Sequence, residues 1–266
     1  MAILGYFSSA LIGVSLGLIG GGGSILTVPV LVYLFGVDPI VATAYSLFIV
    51  GSTSLVGALP KYKEGLVNLK TAVIFGIPSI AAVYATRAWL VPYIPDPVLT
   101  IGQFTLTKAM LLMGLFAVLM VFASFSMIRG KKGAVSDTPT APQQFNYPMI
   151  MLEGTVVGVL TGLVGAGGGF LIIPALVLFS KLPMKQAVGT SLLIIAAKSL
   201  MGFLGDISHY HLDWMLLISV TSLAIAGIFL GNRLSTRFDG EKLKKAFGWF
   251  VLVMGVYILL KEFLLK

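Results

Sequence analysis

A glycine-rich stretch that occurs twice, 145 residues apart, constrains the fold of this chain more than any other feature. Residues 17–31 read GLIGGGGSILTVPVL and residues 162–176 read GLVGAGGGFLIIPAL, with eight of fifteen positions identical and no gap. The same offset continues into the next apolar segment, where Ser46 corresponds to Ser191. An ungapped match of this kind indicates internal duplication, so we predict two equivalent halves.

Composition predicts that both halves lie in a membrane. Of the 266 residues, 58% are hydrophobic and 11% are charged, whereas charged residues make up about a quarter of a typical soluble domain. Apolar runs of about twenty residues recur along the chain, which predicts a polytopic helical membrane protein. Residues 1–19 lack a basic region and belong to the first repeat, so we expect no signal peptide.

Ten hydrophobic elements are predicted, five in each half, so the expected fold is an all-α integral membrane protein. The elements are 3–19, 24–36, 39–59, 68–91, 106–128, 147–164, 170–180, 184–204, 212–234 and 242–264. We expect residues 1–128 to form the first transmembrane repeat and residues 147–266 the second. Residues 129–146 are polar and rich in Pro, Ser and Thr, which is typical of a flexible linker, here cytoplasmic.

The distribution of positive charge predicts the orientation. If every element reverses the direction of the chain, thirteen of the eighteen Lys and Arg residues fall on one side of the membrane. Four fall on the other side, namely Arg87, Lys108, Lys261 and Lys266, and Lys198 lies inside an element. The positive-inside rule then places the basic loops in the cytoplasm, with both termini outside. Because five is an odd number, the second half is predicted to be an inverted repeat of the first.

The second and seventh elements are predicted to be short helices, each after a glycine break. The thirteen residues of 24–36 would span about 20 Å, against a hydrocarbon core of about 30 Å. Each glycine in a helix costs about 1 kcal/mol relative to alanine, so a run of glycines interrupts the helix. A full crossing and a re-entrant dip fit the charge pattern equally, and the short length favours the dip.

Inverted repeats with broken helices are typical of secondary transporters, whose site lies between the repeats. We expect the two breaks to meet, with Ser24 and Gly169 beginning short helices whose first N–H groups have no partner in the helix. Each helix start carries about half a positive charge, which predicts an anion site. The alternative is that the glycines only permit close helix packing. The predicted substrate-binding residues are Gly20, Gly21, Gly22, Gly23, Ser24, Ser46, Gly165, Gly167, Gly168, Gly169, Thr190, Ser191 and Lys198.

Hydroxyl and charged side chains inside the elements each allow two interpretations. Ser46, Thr190 and Ser191 could donate hydrogen bonds to an oxyanion, or they satisfy carbonyl groups of their own helices. Lys198 is costly inside an apolar element and is a candidate for substrate binding or gating. Its position near the helix end also allows it to snorkel to the interface. Glu153 is a candidate for proton coupling, with an inert carboxyl group near the interface as the alternative.

Other chemistries find little support in the sequence. The glycine runs lack the Gly-Lys-Ser/Thr step of a phosphate-binding loop, and no nucleophile elbow is present, so we predict neither an enzyme nor a cofactor. The chain has no cysteine, and a loop with Asp206, His209, His211 and Asp213 is a poor closed metal site. The net charge of +8 is attributed to cytoplasmic loops and not to a nucleic-acid partner.

The paired motif resembles the TauE/SafE sulfite exporter family, a group of bacterial and archaeal permeases also described as sulfonate-uptake or DUF81 proteins. The resemblance rests on two glycine breaks, each followed by a short helix with proline, and on residues 188–192 (VGTSL) in the next helix. It covers essentially the whole chain and implies transport of sulfite, sulfonates or sulfoacetate. The first copy departs from the second, since residues 44–46 read AYS where residues 189–191 read GTS. An asymmetric site is therefore expected.

The expected function is secondary transport of a small sulfur-containing oxyanion by alternating access, and the resemblance suggests export. A passive anion channel that uses the same helix termini is the alternative from another class. Surrounding lipid is the expected environment. The sequence leaves open which oxyanion moves, in which direction, whether protons accompany it, and how many copies of the chain associate.

Overall fold

The computed structural model describes residues 2–101, 104–129, 147–178, 180, 182–235 and 240–264. Within these residues ten helices follow one another: α1 Ala2–Ile19, α2 Thr27–Tyr33, α3 Pro39–Lys63, α4 Leu69–Ala85, α5 Lys108–Ile128, α6 Tyr147–Val164, α7 Gly169–Leu178, α8 Met184–Asp206, α9 Trp214–Ser235 and α10 Gly240–Leu264. A 3₁₀ helix, Gly21–Leu26, precedes α2, and α4 continues through a π-helical turn, Thr86–Leu90, and a last turn, Val91–Tyr93. Apart from Arg129, the predicted linker lies outside the described residues.

Each of the ten predicted elements corresponds to one helix, with ends that differ by a few residues. The second element differs most, because it begins as a 3₁₀ helix and its α-helical part is only Thr27–Tyr33. A small hairpin, in which Leu99–Ile101 pairs antiparallel with Phe104–Leu106, was not predicted. Strands of three residues are too short for an alternating pattern to stand out in the sequence.

Side-chain caps determine where two of the long helices begin. Asp38 accepts a hydrogen bond from the backbone N–H of Ile40 at 2.9 Å, with Pro39 at the first position of α3. Asn68 accepts one from the N–H of Thr71 at 3.0 Å at the start of α4. Such caps satisfy donors that the first turn of a helix leaves unpaired. The start of each helix is therefore encoded locally.

The helices are arranged around a central pair. α3 packs on α8, while α1 packs on α9 and α6 packs on α4. α5 and α10 form a further pair, and their side chains share a core with α2, α7 and the second break, with Phe116, Phe170 and Val251 among its members. The short helices α2 and α7 also contact α3 and α8 respectively. Both glycine breaks are thus enclosed by long helices.

Contacts between helices repeat at the offset of 145 residues. Gly13 in α1 lies against the α9 backbone, since an added Cβ atom would overlap the carbonyl oxygen of Ala224. Gly158 in α6 lies in the same way on α4, where an added Cβ would be 2.6 Å from the carbonyl oxygen of Ser79. Gly158 corresponds to Gly13, and Ala224 corresponds to Ser79. The two helix pairs are therefore built alike, with small residues that permit close approach.

The outer surface is more apolar than that of a soluble protein. Phe122, Leu152 and Ile77 are 69%, 65% and 63% exposed, whereas Arg87 and Lys198 have no exposed surface. Soluble proteins almost never bury Lys or Arg completely. Five of the described helices are long and apolar enough to cross a membrane. The outer surface thus suits lipid.

The close crossings predict how glycine substitutions affect stability. Gly13→Ala and Gly158→Ala each place a methyl group against a backbone carbonyl. Overpacking of this kind costs about 1–3 kcal/mol, so we expect the apparent Tm of the detergent-solubilised protein to fall by roughly 5 °C in both variants. Gly76→Ala is the matched control, because an added Cβ there meets nothing within 4 Å. Alanine favours a helix over glycine, so this control should melt at the wild-type temperature or slightly above. Equal Tm values in all three variants would contradict the packing described here.

Candidate functional site

The two glycine breaks meet in the interior of the protein. A Cβ atom on Gly21 would overlap the Cα of Gly169, and one on Gly169 would overlap the Cα of Gly21. Beside this contact, a Cβ on Gly167 would lie 3.4 Å from the Cβ of Ser24. Glycine permits this direct approach of two backbones, and any side chain would prevent it. The expected meeting of the breaks is therefore present.

The first break differs from its prediction. Gly20 has a φ of +75°, a conformation that favours glycine, and the 3₁₀ helix Gly21–Leu26 follows it. Ser24 therefore does not begin an α-helix, because 3₁₀ geometry is the usual form of a short, tight connector. Its hydroxyl donates to a backbone carbonyl three residues earlier, at 2.7 Å. Gly23 faces α1, where an added Cβ would overlap the Oγ of Ser15, so close packing explains that glycine.

The second break is built from left-handed glycines and ends in a helix start. The φ angles are +71° at Gly165, +64° at Gly167 and +71° at Gly168. α7 begins at Gly169 as predicted, and the N–H groups of Leu171 and Ile172 donate to the carbonyl of Gly168 at 3.0 and 3.1 Å. The N–H groups of Gly169 and Phe170 precede these bonds and have no partner within α7. This end of α7 carries the positive pole of the helix dipole.

Lys198 in α8 lies directly against the second break. Its side chain is fully buried, and its Nζ donates to the Oγ1 of Thr161 at 2.8 Å. The same Nζ is 2.7 Å from the position that a Cβ on Gly168 would occupy. The snorkelling alternative is therefore wrong, since the side chain of Lys198 points into the protein and not toward the membrane interface at the end of α8.

A second buried cation, Arg87, was missed by the sequence analysis. Its Nη1 donates to the Oγ1 of Thr43 at 2.9 Å and forms an ion pair with the Oδ2 of Asp206 at 3.2 Å, and both charged side chains have no exposed surface. Its Nη2 is 2.5 Å from the position of a Cβ on Gly165. The charge count assigned Arg87 to an outer loop, which is wrong, because the residue lies in the π-helical turn that continues α4 and its side chain is fully buried. Its position within the apolar element 68–91 was the available signal.

The buried charges near the breaks lie at the second break. At the offset of 145, Gly165 corresponds to Gly20, yet Gly165 contacts Thr43 and Gly20 contacts Val188. The positions equivalent to the polar cluster are Asn232 for Arg87, Thr53 for Lys198, Leu16 for Thr161 and Val188 for Thr43. None of these four equivalents is charged, so the duplicated scaffold holds Arg87 and Lys198, the two cations without exposed surface among the described residues, at one break.

The predicted hydroxyl residues fall into two groups. Ser46 lies on the face of α3 that includes Thr43 and Val50, both of which contact the second break, and its buried hydroxyl has no hydrogen-bond partner among the described residues. Thr190 accepts a hydrogen bond from the N–H of Asn68 at 2.9 Å. Ser191 donates to the carbonyl of Val188 in its own helix at 2.8 Å. Ser46 is thus close to the breaks, and the other two are engaged elsewhere.

The loop after α8 does not gather metal ligands. Asp206 points inward to Arg87, and Asp213 accepts a hydrogen bond from the N–H of Leu216 at the start of α9. In the part of the chain that the structure describes, no three His, Asp or Glu side chains come together as a metal site would require. Glu153 in α6 has a carboxylate without a hydrogen-bond partner among these residues, and its role in proton coupling stays a prediction.

Two cavities lie away from the breaks, between α3, α4 and α8. Their volumes are about 290 and 200 Å³. Apolar side chains line both, including Leu59 and Ile77, which are 55% and 63% exposed. They are grooves of the apolar outer surface.

Helices with an apolar exterior, two interrupted helices in contact and a buried cationic cluster define a multi-pass membrane protein of the transporter type. Residues 6–258 match the family described as sulfite exporter TauE/SafE, and the chain belongs to this family. A "Probable membrane transporter protein" of Xylella fastidiosa (strain 9a5c) is 32% identical over 259 residues, which cover 95% of this chain and 92% of the relative. The "Probable membrane transporter protein YdhB" of Bacillus subtilis (strain 168) is 27% identical over 253 residues, which cover 94% and 96%. No solved structure matches the chain.

The contact between the breaks predicts a disulfide between the two halves. The natural chain has no cysteine, so Ser24→Cys with Gly167→Cys introduces a single pair. The 3.4 Å separation of their Cβ positions is close to the usual range of about 3.5–4.5 Å for disulfides. After mild oxidation and cleavage at a protease site inserted within residues 130–146, we expect the halves to migrate together on a gel until reductant is added.

The matched control is Gly36→Cys with Gly167→Cys. Gly36 is also left-handed, with a φ of +69°, but an added Cβ there meets nothing within 4 Å. This pair should not link the halves. Linkage in the control, or its absence in the test pair, would show that the breaks do not meet in the membrane.

Proposed function

We propose that this protein is a secondary transporter that exports small sulfur-containing oxyanions, such as sulfite, sulfonates or sulfoacetate, and binds them where the two glycine breaks meet. The observation that carries the proposal is the presence of two fully buried cationic side chains, Arg87 and Lys198, against the second break. Each approaches a glycine, Gly165 or Gly168, that presents no side chain of its own. A small oxyanion bound at these glycines would have both backbone and a cation beside it.

The electrostatics of the second break favour an anion. The guanidinium of Arg87 carries one positive charge, protonated Lys198 adds a second charge, and the start of α7 adds about half a charge. Asp206 contributes one negative charge to this cluster. Buried charge is costly unless it is paired, so a bound anion supplies what the cluster lacks. Cationic residues inside membrane proteins typically mark substrate paths.

We further propose that the two halves are inverted repeats that give alternating access to this site. The contacts that repeat at an offset of 145 residues support two equivalent halves, and the charge of the loops supports opposite orientations with both termini outside. α2 and α7 have 7 and 10 residues, which span about 10 and 15 Å. Helices this short do not cross a core of about 30 Å, so both are proposed to dip into the membrane and return.

The comparisons support transport as the general function. The family description names sulfite export, and relatives that cover more than nine tenths of the chain are named as membrane transporters. The sulfur oxyanion is the finer part of the proposal. It follows from the family description together with the positive cluster at the second break.

Lys198→Met tests the site. A hydrogen bond to a charged group is worth about 1.5–3 kcal/mol, so we expect affinity for sulfite to fall roughly ten- to hundred-fold. The measurement is binding to purified protein, followed by uptake of labelled sulfite into proteoliposomes. Lys185→Met is the matched control, because Lys185 is an exposed lysine of the same helix. Unchanged sulfite affinity in Lys198→Met would remove Lys198 from the site.

The same proteoliposomes distinguish a carrier from a channel. In a carrier, the flux of labelled sulfite saturates as its concentration rises, and it accelerates when unlabelled sulfite is present on the opposite side of the membrane. A channel shows neither behaviour. Varying the pH on one side tests proton coupling, with Glu153→Gln as the variant that should lose it. Failure of wild-type protein to bind or move sulfite, methanesulfonate and sulfoacetate would refute the proposed function.

The contact between the breaks predicts the effect of a single methyl group on transport. Gly21→Ala and Gly169→Ala would push the two breaks apart, because the added atom overlaps backbone of the facing break. We expect uptake to fall at least ten-fold while the protein remains in the membrane in normal amount. Gly76→Ala again serves as the control and should transport at the wild-type rate. Normal uptake in Gly21→Ala would mean that the breaks serve packing alone.

A further inference from the structure

We infer that Arg87 is the residue that selects oxyanions, by offering the free edge of its guanidinium to two oxygen atoms of one substrate. This inference rests on the proposed function and assigns a role to a residue that the glycine motif does not contain. The inference rests on a difference between the two edges of the guanidinium. One edge is held by protein, and the other edge faces the second glycine break.

The held edge is the Nη1 side. Nη1 donates to Thr43 in α3 at 2.9 Å and pairs with Asp206 at the end of α8 at 3.2 Å, while Arg87 itself belongs to α4. Three helices therefore determine the plane of the guanidinium. A side chain that is fixed in this way loses little freedom when it binds a ligand.

The free edge is formed by Nε and Nη2. Neither nitrogen has a hydrogen-bond partner among the described residues, although the side chain is completely buried. A buried, unpaired donor is costly, and more so when it is charged. These two N–H groups point in parallel and form the fork with which arginine binds carboxylates and phosphates through two oxygens. The fork is thus poised for a ligand that the chain itself does not supply.

Gly165 allows the fork to lie directly against the second break. Nη2 lies 2.5 Å from where a Cβ of Gly165 would be, and the φ of +71° at this residue already excludes most side chains. A side chain at this position would displace the guanidinium, so the contact between the fork and the break depends on a glycine that belongs to the duplicated motif. In the other half, the equivalent of Arg87 is Asn232, so the fork exists once.

The geometry of the fork favours one class of ligand, the oxyanions. Two parallel donors match two oxygens of one sulfonate, sulfite or sulfate, whereas a halide is a single atom and cannot engage both in this way. Lys198 donates from a single point and makes no such distinction. Arg87 therefore sets the preference for oxyanions over halides, and Asp206 positions it.

The test is a competition between sulfite, methanesulfonate and chloride for binding to purified full-length protein. We expect the wild-type protein to prefer both oxyanions over chloride at least ten-fold. Arg87→Lys retains the charge and removes the fork, so sulfite affinity should fall at least ten-fold while chloride affinity changes by less than two-fold. A change in this ratio is a readout that a merely structural ion pair would not alter.

The double variant Arg87→Gln with Asp206→Asn separates binding from folding. It removes both charges together, which a buried pair often tolerates, so its thermal stability should stay near that of the wild type. If the pair only ties α4 to α8, this variant keeps the oxyanion preference. If Arg87 is the selector, it folds and loses the preference. Lys61→Gln with Glu64→Gln removes another ion pair of 3.2 Å, at the surface, and should change nothing.

Asp206→Asn and Gly165→Ala provide two further measurements that do not alter Arg87. Asp206→Asn keeps the fork but removes the charge that positions it, so the preference for sulfite over chloride should narrow two-fold or more. Gly165→Ala should lower sulfite affinity at least ten-fold, whereas Gly36→Ala, which carries similar backbone strain in open space, should not. An oxyanion preference that survives Arg87→Lys in a protein that binds sulfite would overturn this inference alone. A wild-type protein that binds no oxyanion would overturn the proposed function as well.

Discussion

Direct contact between two backbones, at Gly21 and Gly169, is the constraint on which the rest of this structure depends. No side chain separates the breaks, so the 3₁₀ helix at Gly21 and α7 at Gly169 begin side by side and remain enclosed by α3, α8, α5 and α10. Interrupted helices leave N–H groups without partners, and these are tolerated inside a membrane only where protein or a polar cavity surrounds them. The contact between Gly21 and Gly169 therefore holds the two breaks together, and it leaves N–H groups in the interior that a polar ligand could bind.

The duplicated scaffold is used asymmetrically. Helix crossings such as Gly13 on Ala224 and Gly158 on Ser79 obey the offset of 145 residues. The chemistry does not obey it, because Arg87 and Lys198 both lie at the second break. In the proposed transport mechanism, the two equivalent halves would move relative to one another, and the one-sided cluster would give the substrate a single preferred face. This combination would suit a carrier that binds one anion at a time.

The ion pair of Arg87 with Asp206 connects this cluster to the helix frame. The ion pair joins the extension of α4 to α8, and the hydrogen bond to Thr43 joins it to α3. The position of the guanidinium therefore depends on how these three long helices are arranged. A pair of this kind stabilises little by itself, since desolvation offsets much of the attraction. The main effect of this ion pair is to orient the guanidinium of Arg87. A substrate that binds the free edge of Arg87 would sense, through the held edge, how these helices are packed.

The sequence alone determined the number and limits of the helices, the duplication, the meeting of the breaks and the candidacy of Lys198, because hydropathy, glycine runs and a fixed offset are properties of the chain itself. Tertiary structure decided the rest. Arg87 lies 44 residues from Thr43 in the sequence, and only the packing of the helices brings the two side chains together. The 3₁₀ start at Ser24 and the internal partners of Thr190 and Ser191 likewise depend on neighbours that no local pattern names. Whether a polar group inside a membrane protein binds a substrate or a neighbouring helix is decided by what lies opposite it.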